Sequence, residues 1–152
     1  AGADNLPERY TIVEEGSRFA VIIKRLLNSS SAGDWAEVIV GNPVILAAET
    51  KAWSLSGTTA DKPILSGECD CIIVDTGIGK IVETITALLP LLKKGGLLLA
   101  TEPTAPTGEK DVNDSEVKSF NAWMELIKIC NESHKLAFMP IYGGTLVAFL
   151  ND

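Results

Sequence analysis

Short β-branched runs alternate along the chain with longer stretches whose apolar residues recur every three to four positions, the pattern of a parallel sheet covered by helices. Residues 10–13 (Tyr-Thr-Ile-Val) predict a first strand, ended by Glu14-Glu15-Gly16. Ser17 is the expected N-cap of a helix whose Phe19, Ile22, Ile23, Leu26 and Leu27 make one apolar stripe facing a sheet. A loop at 28–33 leads to a second strand at 37–40, closed by Gly41-Asn42-Pro43, and a helix is predicted over 44–53. Residues 54–67 are a polar connection without periodicity. Cys71-Ile72-Ile73-Val74 is a central strand expected to be buried on both faces, ending at Asp75-Thr76-Gly77. The next helix carries Ile81, Val82, Ile85, Leu88, Leu89 and Leu92, is broken by Pro90, and is expected to end at Lys93-Lys94-Gly95-Gly96 before a strand at 97–100.

A long loop over 101–113 follows that strand's carboxyl end, where open α/β sheets carry their ligands. Asp114 is the expected cap of a helix with Val117, Phe120, Met124 and Ile127 on one face. Two final strands, at 135–140 and 145–150, flank the turn Tyr142-Gly143-Gly144, which is short enough to join only antiparallel neighbours. The reading is therefore α/β, a mostly parallel sheet with an antiparallel carboxy-terminal hairpin, in a single domain over 1–152.

Composition narrows the function classes. The 152 residues are 46% apolar, 22% charged and 6% aromatic, which suits one globular domain. A formal charge of −7 disfavours nucleic acid and anionic membranes as partners, because phosphate binding is driven by clustered Lys and Arg. No apolar run reaches the roughly 20 residues that span a bilayer, and no signal peptide opens the chain. Cys69, Cys71 and Cys130 fit no zinc or disulfide spacing, so a cytoplasmic, reducing setting is expected. Trp35, Trp53 and Trp123 are expected to pack, and His134 to lie at the surface.

Two local features, together with a mostly parallel sheet ending in an antiparallel hairpin, resemble the class I S-adenosylmethionine-dependent methyltransferases. Val13-Glu14, followed by Arg18-Phe19-Ala20, resembles the acidic strand end that takes the ribose hydroxyls; Val40-Gly41-Asn42-Pro43 resembles the loop that meets adenine, with Asn42 where Asp is usual. Within that superfamily the chain is most similar to the caffeoyl-CoA and catechol O-methyltransferases: Cys71-Ile72-Ile73-Val74-Asp75, Leu92-Lys93-Lys94-Gly95-Gly96-Leu97 and Pro140-Ile141-Tyr142-Gly143-Gly144-Thr145 resemble three of their motifs in order. The resemblance implies a Rossmann-like methyltransferase fold, S-adenosylmethionine as cofactor and methyl transfer to a small-molecule oxygen. Glu14, Asn42 and Asp75 would bind the cofactor, and Asp75 and Glu102 would act at the acceptor, with Tyr142 beside it.

The departures are as informative. Where the metal-dependent branch has an Asp-Asn pair, this chain has Thr101-Glu102, so no metal residues are assigned and a divalent cation is not favoured. Lys80 is displaced by Gly77-Ile78-Gly79 and is not assigned as a base. The Gly-x-Gly turn and the strand before it are absent; residues 1–9 resemble the tail of the helix that follows that turn, and residue 1 is not Met. The expectation is thus a domain lacking its first strand, completed by an N-terminal fragment, by a second copy in a homodimer, or by an unusual rearrangement of the sheet. The same departures fit an alternative, a methyltransferase-like fold repurposed for binding or another reaction. A Rossmann-like interaction domain without a small ligand is the third reading, and the terminal hairpin speaks against it.

Overall fold

The computed structural model describes residues 7–30, 32–56, 63–109 and 111–152; the expected helix tail at 1–6 and the loop residues 57–62 lie outside them. Strands and helices alternate as the periodicity predicts: β1 (Tyr10–Glu14), α1 (Ser17–Ser29), β2 (Ala36–Val40), α2 (Pro43–Ser56), β3 (Cys69–Val74), α3 (Ile78–Leu88), β4 (Leu92–Thr101), α4 (Ser115–Cys130), β5 (Lys135–Ile141) and β6 (Gly144–Leu150). β1 and β2 form a parallel pair, and β3-β4-β6-β5 form a four-stranded sheet. In the larger sheet β3 and β4 are parallel, while β6 runs antiparallel to both β4 and β5. Gly143, at φ +86°, supplies the left-handed residue that turns the β5-β6 hairpin.

The order of pairing places the ligand end. From β1 the chain moves outward to β2, then returns past β1 to β3. Right-handed crossovers make such a reversal switch faces, so α1 covers one side and α2 the other. α1 accordingly packs on β1 and β2, whereas α2, α3 and α4 lie side by side. The core forms under that second layer, where Val74, Leu98, Ala100, Val147 and Phe149 meet Ile81, Ile85, Trp123 and Leu126. Trp123 and Phe149 stand edge to face with ring centroids 6.3 Å apart.

Five expectations are corrected. Ser17 does not cap α1: it is the first helical residue, Gly16 is the cap, and the turn is held by Glu14, whose Oε1 accepts from the Gly16 N–H at 2.7 Å. The apolar stripe of α1 buries less than it promises: Ile23 and Leu27 are half-buried, but Phe19, Ile22 and Leu26 are 65%, 51% and 62% exposed. β3 is covered on one face only, with Val74 buried and Ile73 61% exposed. α3 ends at Leu88 instead of Leu92, because Pro90 turns residues Leu89–Leu91 into a 3₁₀ turn and Leu92 already pairs with Cys69. The next ladder pair is Cys71 with Leu97, so Lys93 to Gly96 bulge out of β4. On α4, Asp114 caps as expected, accepting from the Glu116 N–H at 2.8 Å, but the buried stripe is rotated to Trp123, Leu126 and Cys130, leaving Met124 exposed.

Candidate functional site

Among the described residues β1 and β3 are not paired with each other; each is bonded on one side only, to β2 and to β4. Their carboxyl ends flank an open cleft of about 460 Å³, within the usual range for small-molecule sites. Glu14 enters it from the end of β1, Asn42 from the turn after β2, and Asp75 and Thr76 from the end of β3. Glu14, Asn42 and Asp75, more than sixty positions apart at the extremes, are therefore brought together. Glu102 is not: its backbone N–H is held by the Thr145 carbonyl at 2.8 Å, and its side chain is outside the cleft lining. The strands carrying Asp75 and Glu102 are nonetheless adjacent, with Val74 opposite Ala100. Tyr142 is fully exposed at the hairpin tip, away from the cleft.

Polar side chains tie the cleft's mouth. Asn42 Oδ1 accepts from the Val44 and Ile45 N–H groups at 2.9 and 3.2 Å, making Asn42 the cap of α2, while its Nδ2 donates to Glu15 Oε1 at 2.9 Å. Glu15 Oε2 accepts from Lys80 Nζ at 2.5 Å, a bond that reaches from the β1 end to α3. That hydrogen bond, reinforced by the Glu15 charge, raises the Lys80 pKa and keeps it an ammonium, which is no base at neutral pH. Glu14 spends Oε1 on Gly16, and its second oxygen has no partner among the described residues. The Thr76 hydroxyl oxygen is buried and likewise unpartnered among them.

Glu15 is the residue the sequence left unassigned. Two adjacent glutamates at a strand end are not separable by pattern, and the Lys80 partner lies 65 positions away. Among the described residues no group of three or more His, Cys, Asp and Glu is gathered as a metal ion would require. The cysteines are free, and burial pushes the Cys69 and Cys130 thiols up, so both stay protonated. No helix among the described residues is long and apolar enough to cross a membrane.

No family model matches the chain, and no curated protein does. Solved structures match along nearly its whole length. A Corynebacterium glutamicum protein is 14% identical with a TM-score of 0.69, over 94% of this chain and 60% of that one. An O-methyltransferase from Bacillus cereus in complex with SAH is 16% identical with a TM-score of 0.65, over 93% and 62%. The O-methyltransferase TomG from Streptomyces achromogenes, involved in tomaymycin synthesis and solved with SAM, is 16% identical with a TM-score of 0.65, over 97% and 65%. The likeness shows the fold: an α/β architecture of the kind found in S-adenosylmethionine-dependent methyltransferases. This chain spans less than two thirds of each of these three structures.

S-adenosylmethionine fits the nucleoside side of the cleft. The unspent Glu14 oxygen can accept from ribose hydroxyls, whereas the Thr76 hydroxyl, on a residue of the lining, is itself buried. Asn42 borders the same space with its amide already committed to the α2 cap and to Glu15.

Proposed function

We propose that the chain is the carboxy-terminal part of an S-adenosylmethionine-dependent O-methyltransferase that acts on a small molecule in the cytoplasm. The observation that carries the reading is the convergence of Glu14, Asn42 and Asp75 at strand ends around one cleft, at the point where the strand order reverses. The cofactor supplies an electrophilic methyl group on its sulfonium. Glu14 orients the nucleoside through the ribose hydroxyls, and Asn42 bounds the adenine side. Asp75 lines the acceptor side and helps hold the oxygen nucleophile in line at near-attack distance, while Glu102, on the neighbouring strand, stands outside the cleft lining. Lys80 stays protonated and contributes positive charge, not proton abstraction. In this reading the sheet lacks its first strand, whose place is the gap between β1 and β3.

The test is titration of S-adenosylhomocysteine into the chain, followed by NMR. Weak, millimolar binding is expected while the gap is open, with shifts confined to Glu14, Asn42, Asp75 and Thr76 and abolished by Glu14→Gln. Absence of any shift at saturating ligand, or shifts unaffected by Glu14→Gln, would refute the nucleoside site. A repurposed binding fold is the second reading, and the commitment of the Asn42 amide to protein partners is the observation that favours it. Perturbation by adenosine with none by the methionine portion would support that reading instead.

A further inference from the structure

A single cation stands among the acids of the cleft. Glu14, Glu15, Asp75 and Glu83 line it together with Lys80, four carboxylates against one ammonium. That ammonium is already engaged, because Lys80 Nζ donates to Glu15 Oε2 at 2.5 Å. The other Glu15 oxygen accepts from Asn42 Nδ2 at 2.9 Å, so one carboxylate spends both oxygens on two walls of the cleft. Asn42 thereby fixes the carboxylate that in turn fixes Lys80. Among the described residues no ion pair neutralises Glu14, Asp75 or Glu83, and the field left in the cleft is negative.

Without Glu15 the same corner would suit an anion. Lys80 lies in the first turn of α3, a helix end that no side chain caps. A Cβ on Gly77 or Gly79 would meet nothing within 4 Å, so that end is open as well as positive. A strand leading through two glycines into a helix with a lysine in its first turn can offer backbone N–H groups and an ammonium to a phosphate. Here Glu15, 65 positions earlier in the chain, lies on that ammonium instead.

We propose that Glu15 is the specificity-determining residue of the cleft: by holding the Lys80 ammonium it keeps phosphate-bearing ligands off the α3 end, and the cleft takes adenine nucleosides whose ribose 5′ substituent is neutral or cationic. The inference deepens the proposed function and rests on its nucleoside site. Selection here is by a repulsive element. A phosphate that enters meets the charges of Glu14, Asp75 and Glu83 and must displace Glu15 from Lys80, which leaves a fourth carboxylate unpaired. A sulfonium meets the opposite situation, since every unpaired charge in the lining attracts it.

The test compares adenosine with AMP, which adds only the phosphate, by NMR titration of the protein at low ionic strength. Glu15→Gln removes the charge and keeps an oxygen that can accept from Asn42. With the Lys80 and Glu15 side chains 61% and 41% exposed, substitution of either should not unfold the chain. In the parent, AMP should bind at least about 10-fold more weakly than adenosine; in Glu15→Gln the two should bind within about 3-fold of each other, with adenosine unchanged, as expected when one nearby charge is removed and another released. Adding Lys80→Met should restore the weak binding of AMP. Inorganic phosphate is the second probe and should shift the Gly79 and Lys80 amides in Glu15→Gln alone. AMP equal to adenosine in the parent, a ratio unmoved by Glu15→Gln, or a gain that survives Lys80→Met would each overturn the inference and leave the nucleoside site intact. Phosphate shifts confined to Glu15→Gln, with no adenosine binding to any form, would leave the exclusion of anions by Glu15 standing and refute the nucleoside reading alone.

Discussion

Replacing Gly96 by Ala strikes the point where β4 re-enters its ladder after the Lys93 to Gly96 bulge. A Cβ built on Gly96 stands 2.8 Å from the Cys69 carbonyl oxygen, 2.8 Å from the Lys93 carbonyl oxygen and 3.3 Å from Leu92 Cδ2. Two of those three atoms are backbone, and neither is free to yield. The neighbouring Gly95 N–H donates to the Asn151 carbonyl, the Asn151 N–H donates to the Gly96 carbonyl at 3.0 Å, and Asn151 Nδ2 donates to the Leu92 and Lys93 carbonyls at 3.0 and 3.1 Å. Relief therefore means either breaking part of this clamp or displacing β3 from β4. Overpacking of this kind costs about 2–4 kcal/mol, somewhat above the usual range because the clash is with backbone. For a chain of this size that corresponds to a melting temperature lower by about 5–15 °C. Gly95→Ala is the control: nothing lies within 4 Å of its Cβ, and its φ of +76° adds only the left-handed penalty of about 1 kcal/mol. Thermal unfolding by circular dichroism and urea unfolding by Trp fluorescence read both variants. If Gly96→Ala melts within about 2 °C of the parent, or if Gly95→Ala is the more damaging change, the bulge is not held as described.

Two further outcomes follow from the polar contacts. Arg9 Nε and Nη2 donate to Glu37 Oε1, and with the Thr11 hydroxyl they lower the Glu37 pKa. The depressed value means that this contribution is present at neutral pH and is lost as pH falls through the folded-state pKa, below the ordinary carboxylate range. Glu37→Gln should therefore destabilise by less than about 1 kcal/mol at pH 7, given the exposure of both partners, and the difference from the parent should shrink in urea titrations as pH falls below the ordinary carboxylate range; a gap that stays constant into acid contradicts this. Asn42→Asp keeps the α2 cap but removes the donor to Glu15 and sets two carboxylates side by side, at a cost of about 1 kcal/mol. In a double-mutant cycle the cost should vanish in a Glu15→Gln background, and an unchanged cost there would refute the pairing.

Periodicity located every strand because period-two and period-3.6 patterns are local properties, and the turn chemistry at Gly143 and Asp114 is local too. What failed was decided at a distance. Nothing around Lys93-Lys94-Gly95-Gly96 distinguishes a helix terminus from a strand bulge; the arbiter is Asn151, more than fifty positions on. Pro90 ended α3 at Leu88, and the helix expected to run on to Leu92 gave way to a strand whose Leu92 pairs with Cys69. The α4 stripe rotated because Trp123 must meet Phe149, a partner on the last strand. At the site, Glu14 and Asp75 were legible as strand-end acids, whereas the division of labour between Glu14 and Glu15 was not. One glutamate closes its own turn and the other reaches Lys80 across the cleft. Asn42 also has a role that no local pattern holds: its amide donates to Glu15, which a carboxylate cannot do.

The Lys80 to Glu15 bond has a mechanical consequence. It is a side-chain link from the β1 end to α3, joining the ends of two strands that share no ladder among the described residues. A link between two exposed charges weakens as the screening length shrinks from about 10 Å at 0.1 M salt to about 3 Å at 1 M, so this tie across the cleft is firmest at low ionic strength.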